Sequence, residues 1–265
     1  MSDQSAAVLL REGKLADAIG SAQAALRKSP TKLDARVLLA ELLVFAGNLE
    51  RADVIIDAAS AIDSTIVLVA AEFRQLIRAE VARRQLFRDG RVPEFLSGPT
   101  AAQRLQLAAL VALRAGDATE AAHQSALAEA TRPRVPGRSG DTVFDDFRDA
   151  DDLLAGSFEV LTTTGKYFWI PTERVITAEF HAPVRLRDLI WRRVSLSVAD
   201  GPEGDVYMPT TYSAEDPLTD GQRLGRETDW REVESGLVRG VGRRLFLAGD
   251  EGIDSLALTR LRFDA

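Results

Sequence analysis

The densest group of chemically active side chains lies between residues 144 and 152, where five aspartates occur within nine residues. Hard cations such as Mg²⁺ prefer oxygen ligands, and Asp145, Asp149 and Asp152 would share one face of a helix. The segment lacks the glycine turn and terminal glutamate of an EF-hand loop, and no histidine lies nearby. One interpretation is a metal-dependent phosphoester hydrolase with ligands from Asp145, Asp146, Asp149 and Asp152. The other is an acidic helix start whose apolar neighbours pack inwards: Phe144, Phe147, Leu153 and Leu154.

Two further motifs resemble catalytic sites but lack a required residue. The segment Thr163-Thr164-Gly165-Lys166 ends like a phosphate-binding loop, yet Tyr167 follows the lysine and Val160 occupies the earlier glycine position. The chain has no cysteine, and His123 and His181 lie in different halves without a recognisable triad partner. We therefore predict no catalytic residue, no resident metal or cofactor, and no enzymatic activity.

Arginine outnumbers lysine by 29 to 4, and arginines occur in pairs in the second half of the chain. A guanidinium group binds carboxylate or phosphate through two parallel hydrogen bonds, so these pairs could form an anion- or nucleotide-sensing site. Residues 134–265 also carry 24 acidic against 17 basic side chains, which favours ion pairs within the chain as the alternative. The pairs are Arg185 and Arg187, Arg192 and Arg193, and Arg243 and Arg244.

The composition is that of a folded protein: 265 residues, 46% apolar and 28% charged, with a net charge of −7. Residues 1–133 carry 16 basic and 16 acidic side chains, so neither half has the basic field that nucleic acid requires. No apolar run reaches roughly 18 residues, the length of a membrane span, and the amino terminus lacks the features of a secretory signal. The absence of cysteine fits a reducing compartment. We therefore predict a cytoplasmic protein that binds neither nucleic acid nor membrane.

A recurring phrase in the first half indicates a helical repeat. GKLADA, GNLERA and GDATEA begin at Gly13, Gly47 and Gly116, at spacings of 34 and 69 residues. A tetratricopeptide helix-turn-helix unit has about 34 residues, and 69 is close to twice that length. Each glycine would end one helix with positive φ, and the residues after it would start the next. The apolar spacing predicts helices over 4–12, 14–28, 32–46, 48–61, 66–88, 101–115 and 117–131.

The pattern changes after Pro133 and then indicates strands. Prolines and glycines break any period there, which predicts a linker at 134–143 between a helical module, 1–133, and a second module, 144–265. Two apolar runs flank Gly165 and predict a hairpin over 159–164 and 167–170. Further strands are expected near 173–180, 193–199, 205–208, 237–248 and 256–263, with a short helix over 186–192. The predicted class is α+β: an amino-terminal, TPR-like (tetratricopeptide-like) all-α repeat module followed by a smaller, mainly antiparallel α+β domain.

Repeat modules of this kind bind peptides or helices more often than they catalyse reactions, so the first half predicts a protein-binding scaffold. Within it, the first 20 residues form an amphipathic pattern whose apolar side chains are Leu9, Leu10, Leu15 and Ile19. This face either closes the end of the repeat or docks on a partner.

Phrases spread over nearly the whole chain resemble the ImpE family, also called SciE or TagJ, of type VI secretion accessory proteins. The second-half phrases are specific, whereas the repeat alone would match many helical scaffolds. The phrases include FRQLIRAE at 73–80, RVPEFL at 91–96, FDDFRDADDLLAG at 144–156, EVLTTTGKYFWIP at 159–171, APVRLRDLIWRR at 182–193, LGRETDW at 224–230 and RGVGRRLFLAGD at 239–250.

This resemblance implies a cytoplasmic, non-enzymatic adaptor without catalytic residues. Family members associate with the small sheath subunit and with the ClpV-type AAA+ ATPase that dismantles contracted sheath. The expected partners are therefore a TssB-like subunit and the amino-terminal domain of the ATPase. In related proteins a short amino-terminal helix is the expected ATPase-binding element, which carries over to Leu9, Leu10, Leu15 and Ile19. Self-association stays open, and the hydrolase and the anion sensor are the alternatives to the adaptor.

Overall fold

Three glycines end helices of the first half in the same way. Gly13, Gly47 and Gly116 have φ angles of 81°, 80° and 80° in this computed structural model. After each glycine, the next backbone N–H donates back to a carbonyl in the last turn of the helix, as Asn48 does to Leu43 at 2.9 Å. Only glycine adopts a left-handed backbone at little cost. The recurring phrase of the sequence is therefore a recurring helix end.

After two of these glycines, the next residue caps the following helix, whereas Lys14 after Gly13 makes no side-chain cap. Asn48 Oδ1 accepts the N–H of Arg51 at 3.2 Å, and Asp117 Oδ1 accepts the N–H of Glu120 at 3.0 Å.

The structure describes residues 5–215, 217–233 and 236–264. Gln4, where the first predicted helix begins, lies outside them. The seven predicted helices are confirmed, each described end within two residues of its prediction: α1 (Ala6–Arg11), α2 (Leu15–Lys28), α3 (Leu33–Phe45), α4 (Leu49–Ser60), α5 (Val67–Asp89), α6 (Ala101–Arg114) and α7 (Ala118–Thr131).

The second half is built on antiparallel strands. Their bounds are β1 (Gly137–Ser139), β2 (Thr142–Phe144), β3 (Phe147–Asp149), β4 (Ser157–Leu161), β5 (Tyr167–Pro171), β6 (Val175–Phe180), β7 (Trp191–Val198), β8 (Glu203–Pro209), β9 (Thr228–Val233), β10 (Leu237–Gly242), β11 (Leu245–Ala248), β12 (Glu251–Asp254) and β13 (Arg260–Phe263). Eight strands form one sheet in the order β2-β1-β13-β6-β7-β8-β4-β5, beside two small sheets, β10-β9 and β12-β11-β3. The predicted α+β class is thus confirmed.

Helical structure in the second half is limited to short segments. The helix expected over 186–192 is a single 3-10 turn, Leu186–Leu189, because β7 begins at Trp191. Two further turns are described there: a 3-10 turn over Thr172–Arg174 and α8 over Asp220–Arg223. Among the described helices of the whole chain, none combines the length and the hydropathy needed to cross a membrane.

Residues 134–143 are not a free connector, which corrects the predicted linker. β1 and β2 form a hairpin, and β1 pairs with β13, with Gly137 opposite Phe263. A Cβ atom at Gly137 would lie 2.4 Å from the carbonyl oxygen of Arg262, so the close approach of the two strands requires glycine. The glycines that suggested a linker therefore belong to the β1–β2 hairpin at the edge of the sheet.

Residues 144–152 are not a helix start either. β3 pairs with β11, and turns follow it. Asp149 Oδ1 accepts the N–H of Asp151 at 2.8 Å, and Asp151 Oδ1 accepts the N–H of Leu153 at 2.9 Å. Such side-chain bonds to the backbone two residues ahead stabilise turns in competition with helix. The apolar residues expected to face inwards are buried: Phe144, Phe147, Leu153 and Leu154.

The large sheet packs against apolar layers on both faces. Towards the helices, Leu161, Tyr167 and Trp169 belong to a core cluster that also contains residues of every helix from α1 to α7. The opposite face contributes Phe158 and other residues to a second cluster rich in phenylalanine from β3, β11 and β13. The helical module and the sheet therefore share one continuous core, which positions every surface considered below.

Candidate functional site

The exposed and half-buried aspartates of the 144–152 segment bind separate arginines. The pairs are Asp145 with Arg134 at 3.2 Å, Asp146 with Arg132 at 2.6 Å, and Asp152 with Arg148 at 2.8 Å. Within the part of the chain that the structure describes, no three His, Cys, Asp or Glu side chains are arranged to hold a metal ion. The segment therefore gives the phosphoester hydrolase hypothesis no ligand set.

Asp149 and Asp151 are buried and lie against arginines of the second module. Arg239 Nε donates to Asp151 Oδ2 at 2.9 Å, and Arg244 Nε lies 3.5 Å from Asp149 Oδ2. Burial raises the pKa of Asp149 to about 6, although the Arg244 guanidinium acts in the opposite direction. Burial likewise lowers the pKa of Arg244 to about 10. These carboxylates stabilise the interior of the module. A ligand in solution cannot reach them, because both are buried.

A buried ionic network joins α5 to the sheet. Arg83 donates through Nε and Nη2 to the two carboxylate oxygens of Glu159 at 2.8 and 2.9 Å, and Arg244 Nη2 donates to the same carboxylate. The Arg83 and Glu159 side chains are 3% and 0% exposed. The Tyr167 hydroxyl also donates to Glu159, and the Trp169 indole N–H donates to that hydroxyl at 2.6 Å. A carboxylate that is removed from water needs such partners to offset the cost of its desolvation. The network therefore fixes the position of α5 relative to the sheet.

The predicted arginine pairs take part in similar internal contacts. Arg187 Nη1 lies 3.2 Å from Glu41 Oε1 on α3, and burial raises the pKa of Glu41. Arg192 Nη1 donates to the backbone carbonyl of Ser255 at 2.7 Å. Arg187 and Arg244 therefore follow the alternative of intramolecular ion pairs that the acidic composition favoured, whereas the described contacts of Arg192 are with backbone carbonyls.

The remaining motifs are explained by the sheet. The segment 163–166 is the predicted hairpin turn between β4 and β5, and Gly165 adopts a φ of 81°. His181 Nε2 lies 2.8 Å from Ser195 Oγ, which donates to Asp205 at 2.6 Å. In a catalytic triad the carboxylate orients the histidine, whereas here it binds the serine and lies 3.8 Å from the histidine. This trio therefore lacks the order of contacts that activates a serine.

The four apolar residues predicted to bind the ATPase lie against the core. Leu9 and Leu15 are 8% and 1% exposed. Leu10 and Ile19 are half-buried and pack against the same core cluster. Such burial is what a helix that closes the end of the repeat requires. The contact of these residues with the ATPase stays a prediction.

A strap from the second module, residues 219–227, holds the first two helices. Asp220 Oδ2 accepts the N–H of Leu15 at the start of α2, at 2.8 Å. Arg226 donates to the last two carbonyls of α1, at 2.6 and 2.9 Å. A carboxylate at a helix start and a guanidinium at a helix end both complement the helix dipole. The strap was not predicted from the sequence, and its one local signal is the capping box that begins at Thr219.

Comparisons with known proteins together cover nearly the whole chain. A family model described as ImpE protein matches residues 141–262, and a tetratricopeptide repeat model matches residues 9–66. The chain is 33% identical over 253 residues to the type VI secretion system accessory component TagJ of Pseudomonas aeruginosa, which covers 94% of this chain and 88% of that protein. It also matches the crystal structure of protein VPA1032 from Vibrio parahaemolyticus with a TM-score of 0.92 and 27% identity, over 98% of this chain and 97% of that one. Both modules and their arrangement are thus shared with a solved structure.

Proposed function

Because the chain belongs to the ImpE family, we propose that it is a non-enzymatic adaptor of the type VI secretion system. In this role it binds a TssB-like small sheath subunit and the amino-terminal domain of a ClpV-type AAA+ ATPase, and thereby modulates the disassembly and recycling of the sheath. The observation that carries the proposal is the similarity to an accessory component of that system along 94% of the chain.

The internal use of the charged side chains supports binding rather than catalysis. The aspartates of the 144–152 segment are bonded to arginines or to backbone N–H groups of the chain itself. The carboxylate of Glu159 accepts hydrogen bonds from three side chains in the interior. Such groups stabilise a scaffold, because a catalytic acid or base must reach the reacting atoms.

The packing of the sheet against the helices reduces the surface of the helical module on which a partner could dock. Core residues of the helices already pack against Trp169, Trp191 and other side chains of the second module. The surface of the helices that packs on these side chains is therefore covered by the chain itself. Partners are expected on the outer surface, on the end formed by α1, or along the junction of the two modules.

The test is a calorimetric titration of the full-length protein against the small sheath subunit and, separately, against the amino-terminal domain of the ATPase. We expect saturable binding to both. Leu10→Ala, on the half-buried side of α1, should weaken ATPase binding about fivefold and leave sheath binding unchanged. Val54→Ala is the matched control, since Val54 is 62% exposed on α4.

Each outcome has a separate meaning. If the wild-type protein binds neither partner, the adaptor proposal is rejected. If it binds both and Leu10→Ala behaves like Val54→Ala, the adaptor proposal stands and the ATPase contact lies away from α1.

A further inference from the structure

A cleft of about 540 Å³ opens at the junction of the two modules, and its walls carry four arginines. Arg88 and Arg114 come from α5 and α6, and Arg231 and Arg239 come from β9 and β10. Among the described residues that line this arginine cleft, Glu215 is the one acidic side chain. The chain as a whole has 40 acidic against 33 basic side chains. The arginine cleft is therefore a positively charged site on a protein of net negative charge.

The floor between the arginines is apolar. Its accessible apolar surface comes from the half-buried Phe87 and Leu113, with Leu110 and Val241 buried beneath at 2% and 1% exposed. A concave apolar surface of this kind adds affinity for a bulky apolar side chain, because both are removed from water. A free phosphate ion would gain nothing from it.

Two of the arginines are oriented by the chain itself. Arg239 Nε donates to Asp151, and its guanidinium lies 5.4 Å from the centre of the Phe87 ring. Arg114 Nη1 donates to the carbonyl oxygen of Leu86 at 3.0 Å. A guanidinium group has five N–H donors, so each of these arginines keeps donors for a ligand. Because the side chains are already ordered, a ligand does not bear the full entropic cost of fixing them.

Within the described residues, carboxylates bond to two of the four arginines and not to the other two. Arg88 pairs with Asp89, and Arg239 pairs with Asp151. Arg114 and Arg231, by contrast, donate to backbone carbonyls within the described residues. The arginine cleft thus combines two guanidinium groups, to which no described carboxylate is bonded, with apolar side chains in the same lining.

We propose that the arginine cleft binds an acidic segment of a protein partner, in which carboxylates flank a bulky apolar residue. The carboxylates pair with Arg114 and Arg231, and the apolar side chain enters against Phe87 and Leu113. The inference rests on the proposed adaptor function, because it assigns a surface and a chemistry to one of its protein contacts.

The test uses charge reversals in the full-length protein. Arg114→Glu and Arg231→Glu are made singly and together, with Arg114→Gln as the milder variant. Arg104→Glu is the matched control. Arg104 is also exposed on α6 and donates to a backbone carbonyl, that of Pro99 at 2.8 Å, but it does not line the arginine cleft. Circular dichroism and the melting temperature of each variant show that it is folded.

The first probe is a fluorescein-labelled peptide, Glu-Glu-Leu-Leu-Glu-Glu-Leu-Leu-Glu-Glu, followed by fluorescence anisotropy. Each reversal should weaken its binding at least about tenfold, and Arg114→Gln somewhat less, whereas Arg104→Glu should stay within about twofold of wild type. A peptide with serine in place of leucine should bind at least about tenfold more weakly. The inference is overturned if the double reversal binds the peptide like wild type, if Arg104→Glu is equally impaired, or if the serine peptide binds as well.

The second probe is the pair of protein partners, titrated by calorimetry as above. The double reversal should weaken one of them by at least about tenfold. If wild type binds both and the double reversal weakens neither, the inference is overturned and the adaptor proposal stands. If wild type binds the acidic peptide through the arginine cleft but neither partner, the adaptor proposal fails and the specificity of the arginine cleft is retained.

Discussion

Buried positive charge in this protein is carried by arginine. The side chains of Arg83, Arg187 and Arg244 are 3%, 2% and 1% exposed. A guanidinium group stays charged after burial and offers donors in several directions, whereas a buried lysine more readily loses its proton. The excess of 29 arginines over 4 lysines therefore reflects interior bonding as well as surface charge.

At the same scale, the buried carboxylate of Glu159 should dominate the electrostatic stability. Glu159→Gln should lower the free energy of unfolding by about 3–5 kcal/mol, because Arg83 and Arg244 would lose their shared partner. Asp205→Asn breaks a partly exposed pair with Arg193 and should cost less than about 1 kcal/mol. Urea unfolding followed by circular dichroism measures both. Equal losses would mean that the network adds nothing beyond a surface pair.

Asp149 should give stability a recognisable pH dependence. Its pKa is raised by burial from 3.8 to about 6, so the folded state holds this proton more tightly than the unfolded state does. Its contribution is fully present below about pH 4 and is lost as the pH rises through 6, a change on the order of 2–3 kcal/mol. Asp149→Asn removes the titrating group. Relative to wild type, the variant should therefore gain free energy of unfolding between pH 4 and 7, and a constant difference over that interval would contradict the assignment.

At the scale of the elements, the sequence predicted those helices and strands whose ends are determined by neighbouring residues. Glycine ends and polar caps gave the helix bounds, and the hairpin around Gly165 was predicted from its flanking apolar runs. β9, with the sequence TDWREV, was not predicted, since its polar side chains alternate poorly and its one partner is β10. β3 and β12 were likewise not predicted, because both are defined by their pairing with β11, which no local pattern records.

The candidate site was harder to predict because its contacts are distant in sequence. The amphipathic pattern of the first 20 residues was visible, but the closure of α2 by Asp220 spans 205 residues. The arginine cleft combines residues from α5, α6, β9 and β10 in the same way. Neither the strap nor the arginine cleft has a spacing that sequence reasoning could recognise.

Two glycines of the helical module should respond to alanine in opposite directions. Gly116 has a φ of 80°, so Gly116→Ala should cost about 1 kcal/mol even though no described atom crowds the position. Gly20 lies inside α2, where an added Cβ would meet no described atom within 4 Å, and Gly20→Ala should stabilise by about 0.5–1 kcal/mol. Thermal and urea unfolding of the two variants provide the comparison. The same sign for both would show that the backbone angle at Gly116 is not decisive.

At the scale of the whole molecule, the shared core makes the two modules interdependent. Leu76 of α5 and Trp169 of β5 belong to the same buried cluster, and Arg83 joins the same two regions through Glu159. Solvent exposure of either module would uncover apolar surface on the other and would break a buried ion pair. The chain should therefore behave as one cooperative unit despite its composite architecture.

Calorimetry and circular dichroism should accordingly report a single unfolding transition. The melting temperature from the helical signal at 222 nm should coincide with that from tryptophan fluorescence, since Trp169 and Trp191 are buried at the junction. Glu159→Gln should lower both midpoints together. Two separated transitions, with only one moved by the substitution, would indicate independent modules.

The outer edge of β5 also bears on solubility. This strand carries the sequence YFWI, which as an open edge would invite strand addition from other molecules. Glu94 occupies the edge through hydrogen bonds with Tyr167 O and Trp169 N at 2.9 and 3.1 Å, and the strand ends in Pro171, which has no N–H. Fibril growth from this side of the sheet is thus obstructed by the chain's own backbone at Glu94.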